Sequence, residues 1–414
     1  MSQFGSADLA KEGYLQNVIV YRCVSLIVNQ AAQLKYELFP VNGYGDKKKE
    51  ILSHPLLALL KRPYATVSES QFKIQTFSDY LINGNSYTWM MPGDQNTNEI
   101  HIGQPPVFLM SLMPGSMDVQ ENPSNPFQPQ LYRYYEGVLQ KQFPVGMLGD
   151  TDLIHMRTYN PNSRLIGASP ILPAGAAVDG FNAAGLHNYN LIKSGMRPSM
   201  IISVPFNIEQ GEDFFEKVQT RFDEKYSSHM KTGKAMVLGG GVKAEMVSQN
   251  MVDSDFYRGK QVMAKEIAVA YHTPQELLGL DPAKYDNLNA AYGQLWGDSV
   301  YPLIDQYIDY LNLVLVPRFD KNIVLGYNVN HVDALVRKNA ERMASLEKVS
   351  YLTQNEKRKE IGFEPHESES ADELPPASKQ STTDPDTAAF MADQMANEGK
   401  SFSEARRLSD AIFG

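Results

Sequence analysis

The chain has 414 residues, of which 43% are apolar and 21% are charged, and it contains a single cysteine. This composition is typical of an ordinary globular protein and excludes disordered, collagen-like and disulfide-scaffold chains. Cys23 alone can form neither an internal disulfide nor a zinc site built from several thiolates. The 48 acidic residues outnumber the 38 Lys and Arg residues and give a net charge of −10, which argues against a protein that grips nucleic acid through a broad basic surface.

The first 168 residues combine helical and strand patterns. Apolar residues recur every three or four positions over 14–31, which predicts an amphipathic helix. Further helices are predicted over 54–62 and over 68–82, where Asn83 and Gly84 supply a stop signal. Strands are predicted over 36–41, 85–91, 131–135 and 153–156. This part of the chain is therefore expected to fold as an α+β body.

Two helices flanking an α/β insertion are predicted next. Ser169 is a good N-cap and Gly195 can close the far end, which predicts a helix over 169–195 with mostly small side chains. A second helix is predicted from residue 253 and must end before Pro274. The chain between them is expected to hold strands over 199–204, 235–238 and 242–247 and a helix over 210–226.

The remainder of the chain is predicted to be largely helical. Gly, Pro and Asn residues over 280–289 predict a loop, followed by a long helix with a kink near Pro302 and a strand over 323–329. Thr353 and Glu356 have the spacing of a capping box at the start of a helix. Residues 364–386 are acidic and rich in Pro and Ser, a composition typical of disorder.

Catalytic and metal-binding patterns are missing from the sequence. The eight histidines are scattered, and no two have the i, i+4 spacing of a helical zinc site, so we expect structural or surface histidines. Residues 232–235 resemble the end of a phosphate-binding loop, but Ala235 has no hydroxyl for Mg²⁺ and the leading Gly is missing. Cys23 lies in an apolar pattern where burial is expected. We therefore expect no catalytic residue, no metal site and no cofactor.

Membrane insertion and secretion are not expected either. The most apolar stretch, 18–28, contains Arg22 and is shorter than the ~20 residues of a membrane span. Residues 1–12 lack the apolar core of a signal peptide. A lone cysteine also fits a reducing compartment.

Six short stretches resemble those of a known family in their order over 83–358, although each is a weak match alone. They are Asn-Gly-Asn-Ser-Tyr at 83–87, Asp-Leu-Ile-His-Met-Arg at 152–157, Gly-Ala-Ser-Pro-Ile at 167–171, Ser-Gly-Met-Arg-Pro at 194–198, Glu-Ile-Ala at 266–268 with Thr-Pro-Gln-Glu-Leu-Leu-Gly at 273–279, and Leu-Thr-Gln-Asn-Glu-Lys-Arg at 352–358. On these residues the chain resembles the portal proteins of long-tailed bacteriophages, the connectors between head and tail. The family usually has a Gly-Val-Pro-Pro type turn where this chain has His272-Thr273-Pro274-Gln275, so the helix stop is kept but the turn differs.

The resemblance implies an α+β portal fold that assembles as a dodecameric ring around a DNA channel. It divides the chain into a wing (1–168), a first stem helix (169–195), a clip (196–252), a second stem helix (253–277), a tunnel loop (278–290), a long kinked helix with a wing strand (291–335), crown helices (336–363) and an acidic, disordered tail (364–414). The small side chains of the first stem helix would then let many copies crowd around one axis.

The resemblance also implies partners and a location. The partners are further copies of the chain, double-stranded DNA in the channel, the large terminase subunit, the major capsid protein with its scaffold, and a head-tail adaptor. The location is one vertex of the virion, after assembly in the host cytoplasm. We expect Lys284, Tyr285, Asn287 and Asn289 to lie near DNA in the tunnel loop, and Arg197, Lys231 and Lys234 to contact DNA, terminase or adaptor in the clip. Two alternatives remain, another virion protein such as a tail or baseplate component, and a soluble enzyme with an unrecognised site.

Overall fold

The computed structural model describes residues 9–44, 49–92, 104–193, 199–203, 220, 243–247, 254–280, 285–329, 332, 352–360 and 368. The chain divides into two compact units, Met1–Val332 and Asp333–Gly414. The first unit combines helices with antiparallel sheets, which confirms the predicted α+β class.

Helices and strands of the first unit follow one another in the predicted order. Its α-helices are α1 (Val18–Ala31), α2 (Pro55–Lys61), α3 (Glu69–Asn83), α4 (Gly175–Lys193), α5 (Ser254–Ala270), α6 (Tyr285–Leu295) and α7 (Tyr301–Tyr310). Its strands are β1 (Lys35–Pro40), β2 (Asn85–Met91), β3 (Phe108–Leu112), β4 (Met117–Glu121), β5 (Pro129–Glu136), β6 (Leu139–Pro144), β7 (Leu153–Arg157), β8 (Ser199–Ser203), β9 (Lys243–Val247) and β10 (Ile323–Asn328). They pair in the orders β1-β10, β3-β2-β7, β4-β5-β6 and β8-β9.

The predicted helix over 14–31 is divided, because Asn17 caps a new helix. The Asn17 Oδ1 accepts hydrogen bonds from the backbone N–H groups of Ile19 (3.0 Å) and Val20 (3.1 Å), so α1 begins at Val18. Tyr14 lies instead in a π-helical segment, Leu9–Leu15. A capping side chain satisfies N–H groups that have no partner at a helix start, and this outweighs the continuous apolar pattern.

The central strand β2 forms the middle of the core. All of its residues are buried, and it pairs with β3 on one side and β7 on the other. Helix α3 packs against it, while Tyr132 and Phe143 of the second sheet join Tyr87 and Trp89 of β2 in one aromatic cluster. Helix α3 begins after the N-cap Ser68 and ends at Gly84 in the left-handed conformation (φ 71°), so both predicted ends are confirmed.

Helices α4 and α5 pack against each other, but α4 starts differently from the predicted helix over 169–195. Ser169 Oγ accepts from the backbone N–H of Ile171 (3.1 Å), after which a 3₁₀ turn, Leu172–Ala174, precedes α4. Pro173 has no N–H to donate, and the neighbouring bonds run from i to i−3, which tightens this turn. The α-helix proper therefore begins at Gly175 rather than at Ser169, and the predicted stop at Gly195 lies outside the described residues.

The insertion between these helices contains the β8-β9 pair, whose register runs from Ser199↔Val247 to Ser203↔Lys243. The predicted strands over 199–204 and 242–247 are thereby confirmed to within one residue at each end. The predicted strand over 235–238 lies outside the described residues, as does the helix over 210–226 apart from Thr220, which is helical.

The long helix is interrupted, as predicted, just ahead of Pro302. It runs through α6, a π-helical turn (Trp296–Val300), α7, a second π-helical turn (Leu311–Leu315) and a 3₁₀ turn (Val316–Arg318). Strand β10 follows and pairs with β1.

In the second unit, α8 (Gln354–Glu360) starts with the predicted capping box. Thr353 N–H donates to Glu356 Oε2 (2.8 Å), and Glu356 N–H donates to Thr353 Oγ1 (3.1 Å). The rest of the predicted crown segment and, apart from Ser368, the predicted tail lie outside the described residues.

Candidate functional site

The segment expected to line a channel is helical from residue 285 onward. A 3₁₀ turn, Gln275–Leu278, and Gly279 with φ 70° lead into it, but α6 begins at Tyr285. The predicted loop over 280–289 is therefore wrong from residue 285 onward. Asn and Asp indicate loops because their side chains compete for backbone hydrogen bonds, yet the same property suits them to the first turn of a helix, where N–H groups are free.

Three of the seven candidate contact residues lie at this helix start. Tyr285 is the first residue of α6, and Asn287 and Asn289 are exposed on its first turns. Lys284 precedes them and lies outside the described residues. The predicted clip residues Arg197, Lys231 and Lys234 also lie outside the described residues, so their roles stay predictions.

A serine of the long helix contacts the base of the segment. Ser299 Oγ, in the first π-helical turn, lies 3.0 Å from the His272 carbonyl oxygen and 3.3 Å from that of Tyr271. His272 has φ 49°, a left-handed conformation that Gly adopts without strain. The chain thus keeps at His272 the backbone shape that the family's usual Gly would favour. Sequence reasoning missed Ser299, because nothing in its local pattern marks a contact 27 residues away.

Helices α1 and α3 also support the same base, α1 through Arg22 and α3 through Leu81. Arg22 donates from its guanidinium to the Leu277 carbonyl oxygen (3.4 Å), and Tyr271 donates its hydroxyl to the Leu81 carbonyl oxygen (3.2 Å). Cys23 is fully buried, and this burial raises the pKa of its thiol to about 12, although a hydrogen bond with Thr273 opposes the shift. A thiol with so high a pKa carries almost no thiolate at neutral pH, so Cys23 is a packing residue, as expected.

Three of the stretches that carry the resemblance meet in one buried joint between the first sheet and the start of α4. The Asn85 side chain, at the start of β2, donates to the carbonyl oxygens of Gly167 (3.1 Å) and Asn83 (3.0 Å). Its Oδ1 accepts from the Gly167 N–H (2.7 Å). Thr158, just after β7, donates its hydroxyl to the Ala168 carbonyl oxygen (2.6 Å). We call Asn85, Gly167, Ala168 and Thr158, with His155 described next, the sheet-helix joint.

His155 completes the joint as a neutral ring. Because Asn85 Oδ1 can only accept, His155 donates to it from Nε2 (3.0 Å), and its Nδ1 accepts from the Tyr132 hydroxyl (3.3 Å). The ring also stacks on Tyr87, with 4.3 Å between ring centroids. Burial lowers the pKa of His155 to about 3, with a smaller contribution from the nearby Arg157 charge. His155 is therefore the structural histidine that the scattered pattern predicted.

Two glycines let the backbones approach within the joint. A Cβ at Gly84 would lie 2.3 Å from the Ala168 carbonyl oxygen, and a Cβ at Gly167 would lie 2.1 Å from the Gly84 carbonyl oxygen. Neither obstacle is a side chain that can rotate away. Each of the two stretches therefore has Gly at a position where any side chain would clash with backbone atoms.

The C-terminal end of the long helix is hydrogen-bonded to the sheet that contains β2 and β7. Arg318 donates from one guanidinium nitrogen to Asp152 Oδ1 (2.7 Å) and from another to the Thr151 carbonyl oxygen (2.6 Å). Both side chains are nearly buried, with exposed fractions of 9% and 11%. Buried pairs of this kind fix geometry, because removing one partner leaves the other charge uncompensated.

The described residues contain no group of three or more His, Cys, Asp or Glu side chains placed to hold a metal ion. Within the same residues, no helix combines the length and apolar character that crossing a membrane requires. What the described structure presents instead is a supported loop and a rigid joint.

Sequence comparison places these features among known proteins. A family model described as phage portal protein matches residues 18–362. The chain is 28% identical over 367 residues to an uncharacterised protein of Rickettsia bellii (strain RML369-C), covering 87% of this chain and 91% of that protein. It is 24% identical over 280 residues to the portal protein of Enterobacteria phage HK97, covering 66% of this chain and 60% of that protein.

Solved structures show the same fold. A chain from the neck of an empty gene transfer agent (GTA) particle computed with C6 symmetry matches with a TM-score of 0.65 and 24% identity, covering 87% of this chain and 94% of that one. A chain from the neck of a native GTA particle computed with C12 symmetry matches with a TM-score of 0.62 and 23% identity, covering 88% and 96%. An HK97 family phage portal protein from Corynebacterium diphtheriae matches with a TM-score of 0.54 and 11% identity, covering 79% and 96%.

Proposed function

The chain belongs to the phage portal protein family, and from this premise we propose that it forms the connector ring at one vertex of a phage-like particle. Twelve copies surround a channel through which the large terminase subunit drives double-stranded DNA inward and through which the DNA later leaves. The ring joins the capsid to the tail through an adaptor. The family match carries the proposal, and it is supported by the meeting of three resembling stretches, 83–87, 152–157 and 167–171, in one buried joint.

The proposed role is passive, because the energy for DNA movement comes from the terminase. In this role the chain has to position DNA and its protein partners, and it needs neither a nucleophile nor a general base. The purified protein alone is expected to hydrolyse no ATP and to cut no DNA. An ATPase or nuclease activity that co-purifies with the protein and disappears in a point variant would instead favour the enzyme alternative.

The negative net charge of the proposed ring favours weak contact with DNA, which lets the DNA slide. A ring of twelve chains carries 12 × (−10) = −120 charges, and DNA carries about one negative charge per 1.7 Å of its axis. Screening confines the repulsion to about 8 Å at physiological salt, so the residues closest to DNA decide the contact. A like-charged wall with few local polar contacts lets a duplex pass without being held.

The residues proposed to meet DNA are Lys284, Tyr285, Asn287 and Asn289. Their support is the resemblance together with their place at the start of α6, where Asn287 and Asn289 are exposed. Replacing Lys284, Asn287 and Asn289 together by alanine should leave ring assembly intact and reduce the fraction of DNA-filled particles. An unchanged fraction of filled particles would remove these residues from the proposal. The exposed Asn29 on α1, changed to alanine, is the matched control.

Electron microscopy of the purified protein tests the ring itself. The expected result is a population of rings with a central hole wide enough for a duplex. A compact two-fold dimer, measured by light scattering on the same sample, would contradict the connector proposal.

The same role in a gene transfer particle is a second candidate, favoured by the likeness to chains of GTA necks. The two differ in cargo, because a gene transfer particle carries pieces of the host chromosome and a phage carries its own genome. Sequencing the DNA inside particles that contain this chain distinguishes them.

A further inference from the structure

Helix α5 ends in a Schellman motif that directs the chain into the candidate loop, the part of the predicted tunnel loop that precedes α6 (278–284). The His272 N–H donates to the Val269 carbonyl oxygen (3.0 Å), and the Thr273 N–H donates to the Ala268 carbonyl oxygen (2.9 Å). These are the two hydrogen bonds of the motif, and His272, with φ 49°, is its left-handed residue. The direction in which the chain leaves α5 is therefore set at His272.

The left-handed position of this motif is occupied by a residue that does not favour it. Gly adopts a positive φ without steric cost, whereas any other residue brings its Cβ too close to a carbonyl oxygen. His272 is also exposed, so burial of its imidazole does not offset this cost. The compensation has to come from contacts that the backbone of the turn makes.

Ser299 of the long helix makes such a contact. Its Oγ lies 3.0 Å from the His272 carbonyl oxygen and 3.3 Å from the Tyr271 carbonyl oxygen. Both oxygens can only accept, so the serine hydroxyl donates, and its single proton is shared between them. The two carbonyls belong to the peptide groups before and after His272. Because each peptide group is planar, holding both of them fixes φ and ψ of this residue.

The long helix holds Ser299 in a fixed position. Ser299 lies in the π-helical turn Trp296–Val300, whose first and last residues are fully buried, with exposed fractions of 0%. Single π-helical turns inside a longer helix are frequent at functional sites. The serine oxygen is attached directly to Cβ, so it has little freedom of its own once the backbone is fixed. The hydroxyl is thus a rigid support against which the end of α5 rests.

A change of backbone direction at His272 would reach the candidate loop. Pro274 has φ −59°, which its ring fixes, and Gln275–Leu278 form a 3₁₀ turn. The chain between His272 and the loop is therefore short and stiff. Arg22 contacts the far end of this segment, at the Leu277 carbonyl oxygen, but the distance of 3.4 Å is longer than that of an ordinary hydrogen bond.

We infer that Ser299 is a positioning residue that holds His272 in the left-handed conformation and thereby sets the direction of the candidate loop. A Gly at this turn would adopt the conformation unaided, whereas His272 depends on the hydroxyl. The contact is a property of the single chain, and its consequence for DNA rests on the proposed connector role.

Hydrogen exchange in the full-length protein tests the contact. Ser299→Ala should raise the exchange rates of the His272 and Thr273 amides about fivefold, because a hydrogen bond that stabilises their turn is lost. These amides make the two bonds of the Schellman motif, and mass spectrometry follows them in peptides that span 266–280. Ser70→Ala, at an exposed position of α3, is the matched control and should leave these rates unchanged.

The double variant His272→Gly/Ser299→Ala distinguishes positioning from a general loss of stability. In the His272→Gly background, Ser299→Ala should change the exchange rates by less than about twofold, because Gly keeps the left-handed conformation without the hydroxyl. An equal rise in both backgrounds would overturn the inference, since Ser299 would then act independently of the residue at position 272. No rise in the single variant would overturn it as well. Circular dichroism checks that all variants are folded.

The fraction of DNA-filled particles measures the consequence for the proposed function. Ser299→Ala should lower this fraction while rings still form, and adding His272→Gly should restore it. Faster exchange with an unchanged filled fraction would overturn the link between Ser299 and DNA and leave the connector proposal standing. A protein that shows the expected exchange pattern but forms no ring would contradict the connector proposal and support the positioning role of Ser299.

Discussion

Replacing Asn85 by alanine should markedly loosen the sheet-helix joint. The side chain makes four hydrogen bonds, to Asn83, Gly167 and His155, and only 5% of the residue is exposed. Its removal takes a buried hydrogen-bond partner from the N–H and the carbonyl oxygen of Gly167 and from the His155 Nε2–H. Each such group costs about 1–3 kcal/mol, but the losses overlap because water enters the space, so we expect a loss of about 3–5 kcal/mol in the free energy of unfolding.

Guanidinium unfolding followed by tryptophan fluorescence measures this loss, because Trp89 lies on the same strand as Asn85 and is buried. Asn29→Ala, on the exposed face of α1, is the matched control and should change the free energy by no more than about 0.5 kcal/mol. Asn85→Asp keeps the acceptor but loses both donors, so it should fall near the alanine variant. A loss below about 1 kcal/mol for Asn85→Ala would refute the view that this amide holds the joint.

Three further changes test other parts of the structure. His272→Gly should raise the free energy of unfolding by about 1 kcal/mol, since it relieves a left-handed backbone; a decrease would mean that the exposed imidazole has a contact of its own. Gly84→Ala should abolish soluble protein or cost more than about 3 kcal/mol, whereas Gly137→Ala, also at positive φ but with open space around it, should cost about 1 kcal/mol; equal effects would exclude the steric argument. Burial raises the pKa of Asp79 to about 7 against an opposing hydrogen bond from Ser111, so ionisation costs stability as the pH rises from about 4 through 7. Asp79→Asn should then be about 4 kcal/mol more stable than the wild type at pH 8 and equal to it near pH 4, and a constant difference across this range would contradict the assignment.

Elements whose ends are set by local chemistry could be predicted from the sequence. Ser68 and Gly84 delimit α3 as expected, and the Thr353 and Glu356 capping box forms both of its hydrogen bonds. In these cases the signal and its structural effect lie within one turn of the chain. The predicted strand over 85–91 was also confirmed, because a strand buried on both faces appears as a continuous run of strand-forming residues.

Boundaries that depend on competing local preferences could not be predicted. Asn17 interrupts an apolar pattern that alone indicates one helix, and the residues around Tyr285 begin a helix although Asn and Asp indicate a loop. In both places Asn or Asp suits either structure, and the surrounding chain decides between them. The corrected start of α6 shortens the candidate loop and places Asn287 and Asn289 on a helix.

The contacts that build the site join residues far apart in sequence. Asn85 meets Gly167 over 82 positions, and Ser299 meets His272 over 27. The stretches that contain Asn85, His155 and Gly167 were recognised as a set by resemblance, but their meeting was not predicted. A hydrogen bond between distant segments leaves no periodic pattern in either one, so only the folded chain reveals it.

The long helix is fixed at two points along its length. One is the Ser299 clamp, by which we mean the contacts of its hydroxyl with the Tyr271 and His272 carbonyl oxygens, and the other is the ion pair of Arg318 with Asp152. The helix runs from residue 285 to residue 318, a length of roughly 50 Å at 1.5 Å per residue. One end carries the candidate loop, the Ser299 clamp holds the base of that loop nearby, and the other end is fastened through Arg318 to Asp152 at the edge of the central sheet. In the proposed ring, a force that DNA exerts on the candidate loop would thus be passed along the helix into the central sheet, rather than being absorbed where it arises.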